Sequence, residues 1–445
     1  MLVRELPLPF EPAAHFARLL AAHEDGFLLE SAEGPERLAR YSLLGLDPVG
    51  KVRLERGALR VDGELPEPRA DEAPLAYLRR LVALHPTTDH GYRYLGGLVG
   101  YSSYEMVETL EKLPPRGPHA SFPTFEYGLY LDGLVFDRLT RRVVYFSHGV
   151  DRSAEFTARA QEHVDHEPPT FSAPRVNVDA LRFEKMVETA KHHITEGDIF
   201  QVVLSRRFDM DVQGDLLGFY EALKGANPSP YMYYLKNGER RIVGASPEML
   251  VRVDGGRVET FPIAGTRPMG KTEEDTERLA KELLADPKEA AEHAMLVDLA
   301  RNDVGRVAEF GTVKVSESRK IERFSHVQHI VSKVEGRLRP GRSAVDAFAA
   351  LFPAGTVSGA PKVRAMEIIR DLEPDARGPY AGAVGYFSFN GNADAAIAIR
   401  TLTATRGKAS VQAGAGIVHD SVPASETRET EAKARGLLAV AEGFR

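Results

Sequence analysis

No cysteine occurs among the 445 residues, so the chain has no disulfide, no thiolate nucleophile and no cysteine metal site. Any chemistry that takes ammonia from glutamine with a thiol must therefore belong to another polypeptide. Tryptophan is also absent, which excludes nothing functional. No apolar run reaches the roughly 18 residues that suggest a membrane span, and Met1–Pro9 lacks the basic-then-apolar pattern of a signal peptide. The expectation is a cytoplasmic protein with no membrane partner. Excess positive charge is missing too: the formal net charge of −7 argues against a nucleic-acid surface. What remains is an ordinary globular composition, 43% hydrophobic and 27% charged, with length for two to three domains or for one large two-layer domain with a smaller partner.

Residues 1–165 read as strands and hairpins with few helices. Val52–Gly63 and Leu129–Phe146 have β-branched runs separated by polar turns. A helix over 152–164 runs into the Pro-rich stretch 166–174, the best linker, so the division expected is 1–165 and 175–445. Beyond it, helical and strand patterns mix. A helix capped by Asp179 and stopped by Gly197 is followed by strands at 199–208, 231–235 and 241–253. Helices follow at 273–285, 287–302, 343–351 and 361–371, then strands at 380–389, 394–404 and 410–418, and a last helix at 424–441. Adjacent strands in mixed order predict α+β rather than a doubly wound parallel sheet.

Chemistry-bearing residues concentrate in the second region. Pro262-Ile-Ala-Gly-Thr-Arg-Pro268 reads as a turn after the strand 257–261, exposing backbone N–H groups and the Thr266 hydroxyl. In the helix that begins at Asp286-Pro287, Glu289, Glu292 and His293 share one face with Leu296. Those carboxylates suit either a helix N-terminus or a hard cation. Glu426, Glu429 and Lys433 repeat the theme on the last helix, as a solvated pair or as further ligands. All-oxygen ligation of this sparse kind suits Mg²⁺. Gly414 and Gly416 clear one face of a strand, for packing or for a ligand. Arg400 closes a strand of small apolar residues, where an internal acid or a ligand carboxylate is its natural partner. His326 and His329 point to opposite faces if their segment is a strand, so at most one enters a given site.

Together these segments resemble the chorismate-utilising enzymes, and among them the anthranilate synthase large subunits. The resemblance rests on Gly197–Ser205, Ala245-Ser-Pro-Glu248, Pro262–Thr266, the run from Glu292 to Asp303, Ser358-Gly-Ala-Pro-Lys362, the run from Arg377 to Gly385, and Glu426-Thr-Arg-Glu429. It implies two facing antiparallel sheets flanked by outer helices, α/β/β/α, with a β-rich N-terminal region. It further implies a chorismate pocket of Gly265, Thr266, Tyr380, Arg400, Gly414, Ala415 and Gly416, with Lys433 supporting the carboxylates. Mg²⁺ would rest on Glu292 and Glu429, with Glu289 and Glu426 beside them. Glu248 matches a general acid, and His329 a residue assisting pyruvate loss. Relatives that add water carry Lys where this chain has Gln201, and most aminodeoxychorismate synthases carry Lys where it has Ala264. Both letters point to amination by ammonia, delivered by a glutamine amidotransferase subunit in a hetero-oligomer. Leu28-Leu-Glu-Ser31, Arg40-Tyr-Ser42 and Asn227–Met232 resemble a tryptophan feedback pocket, with Glu30 and Ser31 toward the ammonium and Pro230, Tyr231 and Met232 toward the indole. The alternatives are an aminodeoxychorismate synthase component or a catalytically idle tryptophan-binding subunit.

Overall fold

The computed structural model describes residues 1–34, 39–87, 91–114, 119, 121–323 and 327–445. Two large sheets dominate, with strand pairings antiparallel throughout. Tyr231–Asn237 shows how they stack. Tyr233 and Leu235 point inward and meet Val99, Tyr101, Val384 and Tyr386 of the other sheet. Met232 and Tyr234, one residue out of phase, point outward beneath helices Pro12–Leu20 and Leu217–Ala226. On the second sheet, Leu98, Phe125 and Val251 pack outward against helices Pro74–Val82, Pro287–Gly305 and Ala344–Leu351. The period-two alternation of each strand thus supplies two cores, and the layers are helix, sheet, sheet, helix. The expected fold class is the observed one.

Residues 1–165 and 175–445 share both sheets. Asp25–Glu30 pairs with Tyr231–Asn237, and Gly97–Ser102 pairs with Ala383–Ser388. The stretch expected as linker contributes Thr170–Phe171 to the edge of the first sheet.

Helix limits follow the sequence closely, except that the helix expected over 152–164 is Ser153–Arg159. Asp179 caps Ala180–Thr195 by accepting from the Arg182 amide, and Gly197 follows at φ +83°. Two strand expectations fail, for a common reason. The stretch 241–253 is Arg240–Ser246 in one sheet and Met249–Asp254 in the other; 394–404 is Ala393–Ile397 in one and Thr401–Thr405 in the other. The hairpin expected over Leu129–Phe146 forms as Asp132–Asp137 paired with Arg142–Ser147 in the first sheet, while Leu129 and Tyr130 end the preceding strand Phe125–Tyr130 of the second. Unbroken apolar runs carry no sign of such a crossing, because both sheets bury their strands on two faces.

Candidate active site

The crossings at 247–248 and 398–400 lie side by side, the Ile397 amide donating to the Glu248 carbonyl at 3.0 Å and the Ala245 amide to the Arg400 carbonyl at 3.1 Å. They open on a cavity of about 650 Å³ between the sheet ends and the helices Pro287–Gly305 and Pro423–Glu442. Into it come Glu248, Arg400, Gln201, Ala264, Gly265, Thr266, Glu289, Glu292, His329, Tyr380, Gly414, Gly416, Glu426, Glu429 and Lys433. One expected lining residue does not: Ala415 alternates to the other face and packs with Ala365 and Ile368. His293, expected to share the acidic face, is buried behind it with Nε2 2.7 Å from Ser332 Oγ. His326 lies outside the described residues.

Arg400 occupies the left-handed region at φ +49°, an uncommon conformation for a side-chain-bearing residue, often held for function. Among the described residues its guanidinium has no ion-pair partner, and Glu248 is the acid whose charge it feels. Burial pushes the Glu248 carboxyl up to about 7, against the Thr356 hydroxyl, which donates to Oε1 at 2.8 Å, and the charges of Lys433 and Arg400. The cavity therefore offers a carboxylic acid near its titration point beside an unneutralised guanidinium.

Pro262–Pro268 differs from the turn expected. Ile263–Pro268 is an edge strand on Val327–Arg337, with a bulge between Ala264 and Arg267 that Gly265 permits at φ +68°. The bulge turns the Gly265 carbonyl toward His329, whose Nδ1 donates to it at 2.8 Å. Thr266 Oγ1 stands 3.1 Å from the same nitrogen. Nε2 is then the lone-pair atom, and burial, with the Arg400 charge, keeps the ring below the ordinary imidazole value.

The two acidic helices meet here. Burial and the Glu289 charge raise Glu292, with Glu429 adding to the repulsion and the Gln201 amide bonding to it. Glu426 is raised by burial and by Glu429. Lys433 lies 2.8 Å from Glu429 and donates to the Gly414 carbonyl at 3.0 Å. Glu289 is partly spoken for by Arg267, 3.1 Å away. Among the described residues no three His, Cys, Asp or Glu side chains form a metal cage.

Sequence reasoning missed Thr356, whose turn Gly355–Val357 lies two residues before the motif at Ser358. Arg377 belonged to a quoted motif without a role. It is fully buried, forks onto Glu373 at 2.7 and 2.8 Å, donates to the Val203 and Val357 carbonyls, and lies under the Tyr104 and Tyr380 rings. It joins three walls of the cavity.

A second, smaller cavity of about 50 Å³ lies between the sheets, bordered by Leu29, Ser31, Tyr41, Pro230, Tyr231 and Tyr233. Glu30 and Met232, also expected there, border it too, but their side chains turn to the outer face. The Glu30 carboxylate faces outward, bonded by Tyr220 at 2.6 Å and Lys224 at 2.7 Å, so the ammonium it holds is that of Lys224. Met232 packs in the outer core. Strand alternation is the cause: Glu30 pairs with Met232 across the ladder, and both project to the same outer face.

The family of chorismate binding enzymes matches residues 24–439. Anthranilate synthase component 1 of Methanothermobacter marburgensis is 49% identical over 429 residues, 96% of this chain and 92% of that protein. That of Thermus thermophilus is 44% identical, covering 97% and 95%. The crystal structure of anthranilate synthase component I from Streptococcus pneumoniae TIGR4 superposes with a TM-score of 0.80 at 39% identity, covering 91% of this chain and 93% of that one. The menaquinone-specific isochorismate synthase of Escherichia coli shares the fold, with a TM-score of 0.76 at 20% identity over 99% of this chain and 94% of that one.

Proposed function

The chain belongs to the chorismate binding enzymes, among the anthranilate synthase component 1 proteins, and on that footing we propose that it aminates chorismate at C2 with ammonia and expels pyruvate to leave anthranilate. The observation that carries the mechanism is the meeting in one cavity of Glu248, near neutrality, with Arg400, whose guanidinium has no ion-pair partner among the described residues. Arg400 anchors a substrate carboxylate fork to fork. Ammonia adds at C2, the ring double bonds shift, and the C4–O bond breaks as the Glu248 carboxyl gives its proton to the departing hydroxyl, which leaves as water. The C2 proton is then lost, the C3–O bond of the enolpyruvyl group breaks, and its methylene carbon takes up a proton to become pyruvate. His329, with its lone pair on Nε2, assists this second step. Gln201 cannot serve as a base for water, and Ala264 carries no amine to bond to the ring, so free ammonia is the nucleophile.

Glu292 and Glu429 would hold Mg²⁺: Glu292, raised by burial and by the charges of Glu289 and Glu429, is a hard-oxygen donor in want of a cation, and Glu429 faces it from the last helix. Bound there, the ion would neutralise and orient the ring carboxylate. With no cysteine in the chain, glutamine use requires a separate amidotransferase subunit, a component II. The smaller cavity is assigned to L-tryptophan as feedback inhibitor, with Ser31, Pro230 and Tyr231 as its contacts. A cytoplasmic setting accompanies this biosynthetic role.

The deciding assay supplies the chain alone with chorismate, Mg²⁺ and ammonium salt. Fluorescent anthranilate is the expected product; a 4-amino product alone, or isochorismate, overturns the proposal.

A further inference from the structure

Between the two cavities lies a small apolar cluster of Met249, Phe261 and Val331, with Tyr231 and Ile263 packed against it. Tyr231 borders the smaller cavity, and Ile263 lines the larger one. The other members adjoin the proposed machinery. Met249 follows Glu248 directly; Val331 lies two residues beyond His329 and pairs with Ile263 across the ladder. The Tyr231 hydroxyl is held from the opposite side, donating to Asp394 at 3.0 Å and accepting from Arg252 at 3.1 Å. Arg252 is itself 1% exposed and lies 2.7 Å from Asp394.

At about 50 Å³ the smaller cavity has room for one or two waters, each taking about 30 Å³, and not for an indole. Occupation by an aromatic amino acid therefore requires a wall to yield. The strand backbones are locked in ladders on both sides, whereas Tyr231 is a single side chain with one pinned hydroxyl. Its ring packs against the cluster, so a shift of the ring disturbs that packing, because packed interiors do not deform continuously.

We infer that Tyr231 and the Met249–Phe261–Val331 cluster form the element that transmits occupancy of the smaller cavity to Ile263 and the Glu248 and His329 segments of the larger one. This rests on the regulatory reading above and gives it a physical route. Both ligands bias one shared packing arrangement, which is what coupling between distinct sites requires.

The test separates binding from transmission. L-tryptophan is titrated calorimetrically into the full chain, and the chorismate KM is measured with and without saturating tryptophan. It uses the wild type, Val331→Ala, Val331→Ile and Tyr231→Phe, each checked for a native thermal transition. Couplings of this kind usually lie between about 5- and 150-fold. In Val331→Ala the tryptophan Kd should stay within about twofold of wild type while the tryptophan-induced rise in KM falls by about fivefold or more. Val331→Ile, which refills the cluster, should restore it. Tyr231→Phe, with the ring kept and the pin removed, should shift the coupling as well. Unchanged coupling in both Val331→Ala and Tyr231→Phe overturns the inference, as does parallel loss of binding and coupling in Val331→Ala. If tryptophan gives no binding heat with wild type, the regulatory reading itself falls, and the transmission route with it.

Discussion

Glu248 has no acidic neighbour in sequence that would mark it as an acid; its neighbours in space make it one. Its proton is retained below pH of about 7 and lost above it. The pH profile follows with a definite sign. Plotted against the concentration of free NH₃, kcat/KM should be flat below about 7 and fall about tenfold per pH unit above it, since this parameter reports the free enzyme. Glu248→Gln should lower kcat by about 10²- to 10⁴-fold and abolish that dependence. A second consequence concerns stability. A carboxyl whose folded value lies above its unfolded value loses stabilisation as pH rises between the two, so the wild type is penalised at high pH and the amide is not. Glu248→Gln should therefore melt at a higher temperature than wild type at pH 8 and at an equal temperature near pH 4. Arg400→Lys keeps the charge and loses the fork; a drop in kcat/KM for chorismate of tenfold or more is expected, because Lys binds carboxylates as a point charge.

Among the elements, Lys408–Ile417 shows how an alternating strand builds a wall. Gly414 and Gly416 face the cavity while Ala415 and Ile417 pack on the opposite side with Ala365 and Ile368. The two glycines are not equivalent. A Cβ at Gly416 would meet only the Gln201 side chain, 2.7 Å from Nε2; at Gly414 it would strike the Tyr380 hydroxyl at 2.6 Å and the Leu204 carbonyl at 2.9 Å. Gly416→Ala should thus keep its melting temperature while displacing Gln201 from Glu292, read as a changed Mg²⁺ dependence of turnover. Gly414→Ala should cost about 1–3 kcal/mol on unfolding, because a strand carbonyl cannot step aside. The helices were legible in detail since Asp179, Pro287 and Gly197 are local signals. The bulge at Gly265 was not, since Pro, Gly and Thr in one short run also describe a turn.

For the whole molecule, the interleaving of strands from 1–165 and 175–445 in both sheets predicts one cooperative unfolding unit. A fragment comprising 175–445 would leave Tyr231–Asn237 and Ala383–Ser388 without their partners Asp25–Glu30 and Gly97–Ser102. It should show no cooperative melting transition, and a sharp native-like one would contradict this. The same interleaving separates what sequence determined from what tertiary structure decided. Residue types, their order and the strand and helix periods sufficed for the α+β class, for the family and for most of the charged side chains that line the cavity, though not for Lys288, Asp420 or apolar walls such as Leu296 and Ile399. They could not say that the chain changes sheets at 247–248 and 398–400, because a strand buried on both faces is apolar throughout whichever sheet it joins. Nor could they say which way Glu30, Met232 and Ala415 face, since a strand's pattern gives alternation without fixing which side is inside. Only the packed sandwich makes those choices. It places Glu248 where water is scarce and leaves the Arg400 guanidinium without an ion-pair partner among the described residues, and that environment turns two ordinary charged residues into an acid and an anchor.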